Sequence, residues 1–349
     1  MLDWKFRVVL SRGCLLLVLV ISLPALSSPL PSWQDGVKAQ IMAFVDKVTR
    51  KDSADFIPVG ERIAVFDNDG TLWSEKPVYF QLLYAADEVK RLSPQHPEWK
   101  TQEPFASILK GNLSNLLGRG REGLEVMLTA THAGLSTDAF QHSVAQWLKS
   151  AKNPETGKHY SAMVFQPMLE LLEYLRANGF KTYIVSGGGT DFIRVFSQEL
   201  YGIPPEQVIG SRLKSRYENG GGHPYIVKLD ELAFLTDKQG KPIAINDVIG
   251  RRPVFAAGNS DGDLQMLEWT TAAKGPRFAM LIHHTDAKRE WAYDKNSSVG
   301  RLDKALQAAK ANSWLVVDMA KDWRTVFPPE EKDQSSQGPL IPQVPAYQD

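Results

Sequence analysis

Asp67 and Asp69 stand two residues apart, directly after the apolar run Ile63–Phe66 and directly before Gly70 and Thr71. Two carboxylates at this spacing strain against their mutual charge unless a cation lies between them. Hard oxygen donors of this kind suit Mg²⁺, which takes about six oxygens and keeps several waters or substrate phosphate oxygens. An Asx turn closing a strand is the plainer reading of the same string. Further along, Ser186, Gly187, Gly188 and Gly189 put a hydroxyl and unhindered amides before Thr190 and Asp191. At a helix start that combination cradles a phosphate, although a flexible turn has the same composition. Lys241, between Gly240 and Pro242, sits where a proline would open a helix, so its ammonium can point into the same crevice. A solvated loop lysine is the alternative. Finally, Gly258, Asn259, Ser260, Asp261, Gly262 and Asp263 follow an apolar run at 254–257 and offer more oxygen ligands, or equally an Asx-rich turn and helix cap.

These residues need elements that bring them to one place. Short apolar runs at 63–66, 182–185, 254–257, 278–282 and 314–317 read as buried strands. Helical patterns lie between or before them. Trp33, Val37, Ile41, Phe44, Val45 and Val48 share one face of an early helix; Met168, Leu171, Leu172 and Leu175 share another, with Gly179 as the stop beyond it. Strands alternating with helices predict an α/β fold, a Rossmann-like parallel sheet with helices on both faces. In such a sheet ligands sit outside the carboxyl ends of the strands, which is where each of the four strings falls. Residues 77–152 break the alternation: helical patterning, with Phe140, Val144, Trp147 and Leu148 in phase, predicts an all-helical insertion. Residues 212–240 are a second interruption, where Glu218, Asn219 and three glycines have the chemistry of a hairpin turn.

Taken together and in this order, the four strings resemble the four motifs of the haloacid dehalogenase superfamily of phosphohydrolases, and the insertion is similar to the helical cap of its phosphoserine phosphatase-like branch. The resemblance implies a core of residues 28–76 and 153–327 with a cap at 77–152. It makes Asp67 the nucleophile, Asp69 the general acid and base, and Lys241 the group that steadies the phosphoryl charge. Thr71, Ser186 and Gly187 become phosphate-binding positions, and Asp67, Asp69, Asn259 and Asp263 the holders of Mg²⁺. The expected activity is metal-dependent hydrolysis of a small phosphomonoester through an aspartyl phosphate. Phosphoryl transfer to another alcohol, or binding of a phosphate ester without turnover, are the alternatives. One departure matters: most members carry an aspartate where this chain has Asn259, whose neutral carbonyl brings no charge, and Asp261 is an extra carboxylate within reach of the same role. Glu75, His284 and Asp286 are expected at the same sheet edge as pocket residues. Trp99, Arg119, Arg121 and Trp147 are aromatic and basic residues of the cap.

Composition narrows the field. Forty basic residues balance forty acidic ones in 349, which argues against an electrostatically driven nucleic-acid binder. Cys14 is the one cysteine, so neither an intrachain disulfide nor a cysteine-rich metal site can form. Lys5, Arg7 and Arg12 precede an apolar run at 14–26 and the small residues Ala25 and Ser27, the order of a secretory signal. The run is shorter than the ~20 residues that span a bilayer. The expectation is a signal at 1–27 and an exported, periplasmic protein, or else one held by an uncleaved amino-terminal anchor. Residues 328–349, rich in Pro, Ser and Gln, read as a flexible tail.

Overall fold

The computed structural model describes residues 29–113, 126, 129 and 131–329; the expected signal, most of the expected tail, and Arg119 and Arg121 lie outside the described residues. At its centre β1 (Ile63–Phe66) is buried at every position because both faces of the sheet are covered. Ala64 and Phe66 face one apolar cluster, and Ile63 and Val65 the other. A period of two therefore operates inside a run that is apolar throughout, as expected of a parallel strand between two layers of helices.

Seven strands form the sheet among the described residues, in the order β4-β3-β2-β1-β5-β6-β7. They are β2 (Lys181–Gly189), β3 (Val208–Gly220), β4 (His223–Phe234), β5 (Phe255–Gly258), β6 (Phe278–His283) and β7 (Leu315–Asp318) besides β1. Every pairing is parallel except β3 with β4. On one face lie α1 (Asp35–Thr49), which buries Val37, Ile41, Val45 and Val48, and a helix at Gln166–Ala177, which buries Met168, Leu171, Leu172 and Leu175. On the other lie helices at Gly240–Ile249, Leu264–Thr271 and Lys304–Ala311.

Two expectations change. Ser186 to Gly189 is extended strand rather than loop: β2 runs on through it, with a register shift against β3 between Val185 and Gly189. The glycines keep backbone pairing while leaving no side chains in the crevice. The hairpin is longer than its turn chemistry indicated, because β3 begins at Val208 as a parallel neighbour of β2 and then runs on past it to pair antiparallel with β4 at the sheet's edge.

The described part of residues 77–152 contains helices at Phe80–Leu92, Phe105–Leu109 and Thr137–Ser150, and no strand. Phe80, Tyr84, Phe140, Val144 and Leu148 belong to the same apolar cluster as the sheet. The insertion is thus rooted in the core, and the Gly134 N–H on the Lys228 carbonyl at 2.9 Å, together with a bridge from Ser136 to Val227, ties it to the hairpin, which the Lys228–Asp191 ion pair at 2.6 Å fastens to the segment after β2. No helix among the described residues is long and apolar enough to cross a membrane.

Trp33 precedes α1 rather than opening it. Its ring meets Trp323 edge-on at 5.8 Å, and its indole donates to the Pro167 carbonyl at 2.8 Å. It is fully buried, and it joins the two ends of the described chain on one face of the sheet. Trp33→Ala is expected to cost about 3–5 kcal/mol in urea unfolding; a loss under about 1 kcal/mol, the range of surface changes, would show the early segment to be loosely held.

Candidate active site

The first site residues are set by the end of β1. Asp67 donates its backbone N–H to the Ala257 carbonyl of β5 at 3.0 Å, and the chain then turns sharply as Thr71, Leu72 and Trp73 all direct N–H groups at the Asn68 carbonyl. Gly70 has φ +74°, and a Cβ there would run into the Asn259 amide and the Glu75 carboxylate, so only glycine fits. The turn leaves Asp67 at the strand end and Asp69 just beyond it, its Oδ1 accepting from the Trp73 indole at 2.9 Å.

Lys241 reaches in from the second residue of the helix that starts at Gly240. Its Nζ donates to Asp67 Oδ1 and to Asp263 Oδ1, each at 2.6 Å. Asp263 is fully buried, and its other oxygen accepts from the backbone N–H groups of Asn259 at 3.0 Å and Ser260 at 3.1 Å. Asn259 faces two ways: its Oδ1 accepts from the Thr71 hydroxyl at 3.1 Å, and its Nδ2 donates to Glu75 Oε1 at 2.8 Å. Tyr293 donates to the same Glu75 oxygen at 2.7 Å.

Asp67, Asp69, Thr71, Glu75, Lys241, Asn259 and Asp263 are therefore one contiguous group, as the sequence led us to expect. Ser186 lies buried within β2, three residues before its end, accepting from the Gly188 N–H at 3.0 Å, and Gly187 offers its carbonyl to Ser211. Other expected residues have structural work elsewhere. Asp261 accepts from the Asp303 and Ala305 N–H groups at 3.0 and 2.9 Å and so caps the helix Lys304–Ala311. Asp286 accepts from the Lys288 and Arg289 N–H groups and pairs with the Arg289 guanidinium, closing a turn after β6. His284 lies behind the first turn, with Nε2 at 2.8 Å from the Gly70 carbonyl. In the insertion, Trp99 stacks between His96 and Phe105, and Trp147 stacks on Tyr160 and donates to Asp87. Sequence reasoning passed over Trp73, Tyr293 and Gln81; the last holds the Gly189 N–H at 2.7 Å and so links the first helix of the insertion to the glycine segment.

The electrostatics are those of an acidic cluster with too little positive charge. Burial, and then the neighbouring Asp263 and Asp69, push the Asp67 carboxyl up to about 8 against the pull of Lys241. Burial likewise raises Asp69, and raises Glu75 well above the usual carboxylate range. Burial works against the Lys241 ammonium, but Asp263 and Asp67 outweigh it and raise its pKa. Among the described residues no three acidic, histidine or cysteine side chains close around a common point. The donor chemistry nevertheless fits Mg²⁺: buried hard oxygens, with carboxylates outnumbering the one ammonium among them. A cleft of about 580 Å³ lined by Gln40, Arg277 and Trp314, among others, opens at the starts of β6 and β7, the opposite end of the sheet from these groups.

The raised Asp67 has a consequence for stability. Between its ordinary value of 3.8 and about 8 the folded chain holds a proton that the unfolded chain has released, so this group's contribution is full below the lower value and is lost as pH rises through the upper one. In EDTA the melting temperature of the wild type is expected to fall across that window, and Asp67→Asn to fall less; parallel curves for the two proteins would refute the assignment.

The family model described as haloacid dehalogenase-like hydrolase matches residues 64–268, a span that runs from β1 through Asp263. No curated protein matches the chain. Among solved structures, a protein of unknown function from Bordetella pertussis Tohama I is 15% identical, with 74% of this chain and 99% of that one covered at a TM-score of 0.48. A conserved protein of unknown function from Anaerococcus prevotii DSM 20548 is 18% identical over 82% of this chain and 92% of its own, with a TM-score of 0.49. A phosphoserine phosphohydrolase-like protein from Francisella tularensis subsp. tularensis SCHU S4 is 16% identical over 72% and 99%, with a TM-score of 0.39. With more than half of its length matched by the family model, and the matched span carrying Asp67, Lys241 and Asp263, the chain belongs to the haloacid dehalogenase-like hydrolase family.

Proposed function

We propose that the chain is a magnesium-dependent phosphomonoesterase that acts on a small phosphorylated metabolite through an aspartyl phosphate. The observation that carries this reading is Asp67 at the end of β1, buried and hydrogen-bonded to Lys241, with Asp69 two residues on and held by Trp73. A phosphate monoester dianion repels an attacking carboxylate, so its charge must be neutralised first. Lys241, the Thr71 and Ser186 hydroxyls and the amides of the glycine segment are the donors on hand, and each well-placed donor of this kind is worth about 10²- to 10³-fold in rate. Asp67, Asp69, Asn259 and Asp263 would hold Mg²⁺, which when bound adds charge neutralisation at the phosphoryl oxygens.

In the first step an Asp67 oxygen bonds to phosphorus as the ester P–O bond breaks, and Asp69 gives its proton to the departing alkoxide. In the second, Asp69 takes a proton from water, whose oxygen bonds to phosphorus while the Asp67–phosphorus bond breaks, returning both carboxylates to their starting state. Burial suits Asp69 to this role, since a raised pKa lets it carry the proton it must donate. The helical insertion rooted beside Gly189 would shield the intermediate from bulk water and select the alcohol.

One observation favours a second reading. Asn259 contributes no charge where most members of the superfamily place an aspartate, which suits an exported protein that binds phosphate esters without turning them over. Hydrolysis of p-nitrophenyl phosphate separates the two. Turnover is expected with Mg²⁺, to be lost in EDTA and to fall by on the order of 10³-fold or more in Asp67→Asn with the fold retained. Phosphate binding by calorimetry without any turnover would establish the binding reading instead, and transfer to added glycerol would identify a phosphotransferase.

A further inference from the structure

We propose that His284 and Glu290 form a buried couple that positions the catalytic turn, holding it at both ends; this rests on the phosphatase reading of Asp67 and Asp69. His284 leaves the end of β6 and meets the Gly70 carbonyl through Nε2 at 2.8 Å, while its Nδ1 lies 3.1 Å from Glu290 Oε2. The other Glu290 oxygen accepts from the Ser74 hydroxyl at 2.6 Å. Gly70 and Ser74 bracket the turn that carries Thr71 and the Trp73 indole on Asp69, so one couple fixes the segment at two points.

The chemistry of the ring defines its role. A carbonyl oxygen only accepts, so Nε2 carries a hydrogen. At Nδ1 the ring faces a carboxylate oxygen that also accepts from the Trp291 N–H at 2.7 Å. Glu290 therefore fixes the ring's orientation, much as a carboxylate orients the histidine of a hydrolytic triad. The ring is 2% exposed and stacks on Tyr293 at 4.4 Å, with Phe165 at 5.8 Å on another side, so it has no access to substrate. Tyr293 continues the same scaffold to Glu75. The turn closed by Asp286 is what brings Glu290 back under the first motif, since the Glu290 N–H donates to the Asp286 carbonyl at 3.0 Å.

The need for such a couple comes from Gly70. A glycine at positive φ joins Asp69 to Thr71, and glycine is the residue whose peptide planes rotate most freely. With its carbonyl pinned from behind, the Gly70–Thr71 peptide plane cannot turn, which fixes Thr71 and keeps in place the turn whose Trp73 indole holds Asp69. His284 and Glu290 are in this sense positioning residues and touch no reacting atom.

The test compares full-length wild type, His284→Gln, His284→Phe and Glu290→Gln by thermal melting, by kcat and KM on p-nitrophenyl phosphate with Mg²⁺, and by the imidazole N–H proton resonance. Misplacing a catalytic group by about 1 Å costs on the order of 10²-fold, so His284→Phe is expected to lose kcat by about that factor with KM changed by less than about threefold. His284→Gln keeps an amide donor for Gly70 and is expected to recover kcat to within about tenfold of wild type. Wild-type kcat in His284→Phe, or equal losses in the Gln and Phe variants that track their melting temperatures, would overturn the proposal. Should His284→Phe fail to fold, Glu290→Gln decides: a lowered kcat and a shifted ring resonance support the couple, and wild-type values of both overturn it. If the wild type itself shows no turnover, the phosphatase reading falls. The couple is then judged on the resonance alone, where a slowly exchanging ring proton absent from His284→Gln sustains it and no such proton in the wild type refutes it.

Discussion

Lys241 holds Asp67 and Asp263 at 2.6 Å each, and the three side chains are almost wholly out of water. Removing such ions from solvent costs several kcal/mol apiece unless they are paired and hydrogen-bonded, and breaking the pairing leaves an uncompensated buried charge. The bridge thereby locks three elements in register: β1 through Asp67, the turn after β5 through Asp263, and the helix beginning at Gly240. Residue 240, where that helix begins, has to be glycine, because a Cβ there would strike the Leu235 carbonyl. The apolar clusters on both faces of the sheet supply the stability that this arrangement lacks.

The sheet order explains why the charges meet. From β1 the chain builds outward through β2 and β3 on one side, and through β5, β6 and β7 on the other. Between β1 and β5 the direction of winding reverses, so the connections leave to opposite faces and open a crevice at the carboxyl ends. Asp67 ends β1 and Asp263 follows β5, so the two carboxylates flank that crevice. The glycine segment lies one strand away on β2 and presents backbone without side chains there.

How much of this was readable in the chain depended on the range of the interactions. The central strands were legible because they are apolar on both faces and bounded by glycine or polar residues, and the helices at 166–177 and 35–49 because their apolar stripes keep a helical period. The start of β3 was not, since Val208, Ile209 and Gly210 make too short a run to be told from a loop, and it is held by β2 rather than by its own composition. Ser186 to Gly189 read as a turn because three glycines disfavour a strand on their own; pairing with a neighbour overrides that preference. Asp67, Asp69, Thr71, Lys241, Asn259 and Asp263 were legible because each lies at a strand end or helix start in a recognisable order. Ser74, Glu290 and Tyr293 were not, because their contacts with the site join residues more than 200 positions apart. His284 and Asp286 were found at the right edge of the sheet and given the wrong side of the turn.

The asparagine at 259 looks like a loss when the motif is read alone, and its surroundings give it a different meaning. Its Nδ2 donates to Glu75, whose carboxylate is buried and also accepts from Tyr293. An aspartate in the same place would set two carboxylates in direct contact with no cation between them, at a cost that grows as the local dielectric falls. The amide removes this repulsion and keeps an oxygen on the side of Thr71. The carboxyl that faces residue 259 comes instead from Glu75, beyond the first turn, where burial favours its neutral form. Residues 75 and 259 are therefore a coupled pair: replacing Asn259 leaves Glu75 with Tyr293 as its remaining donor, and replacing Glu75 leaves the buried Asn259 amide without its acceptor.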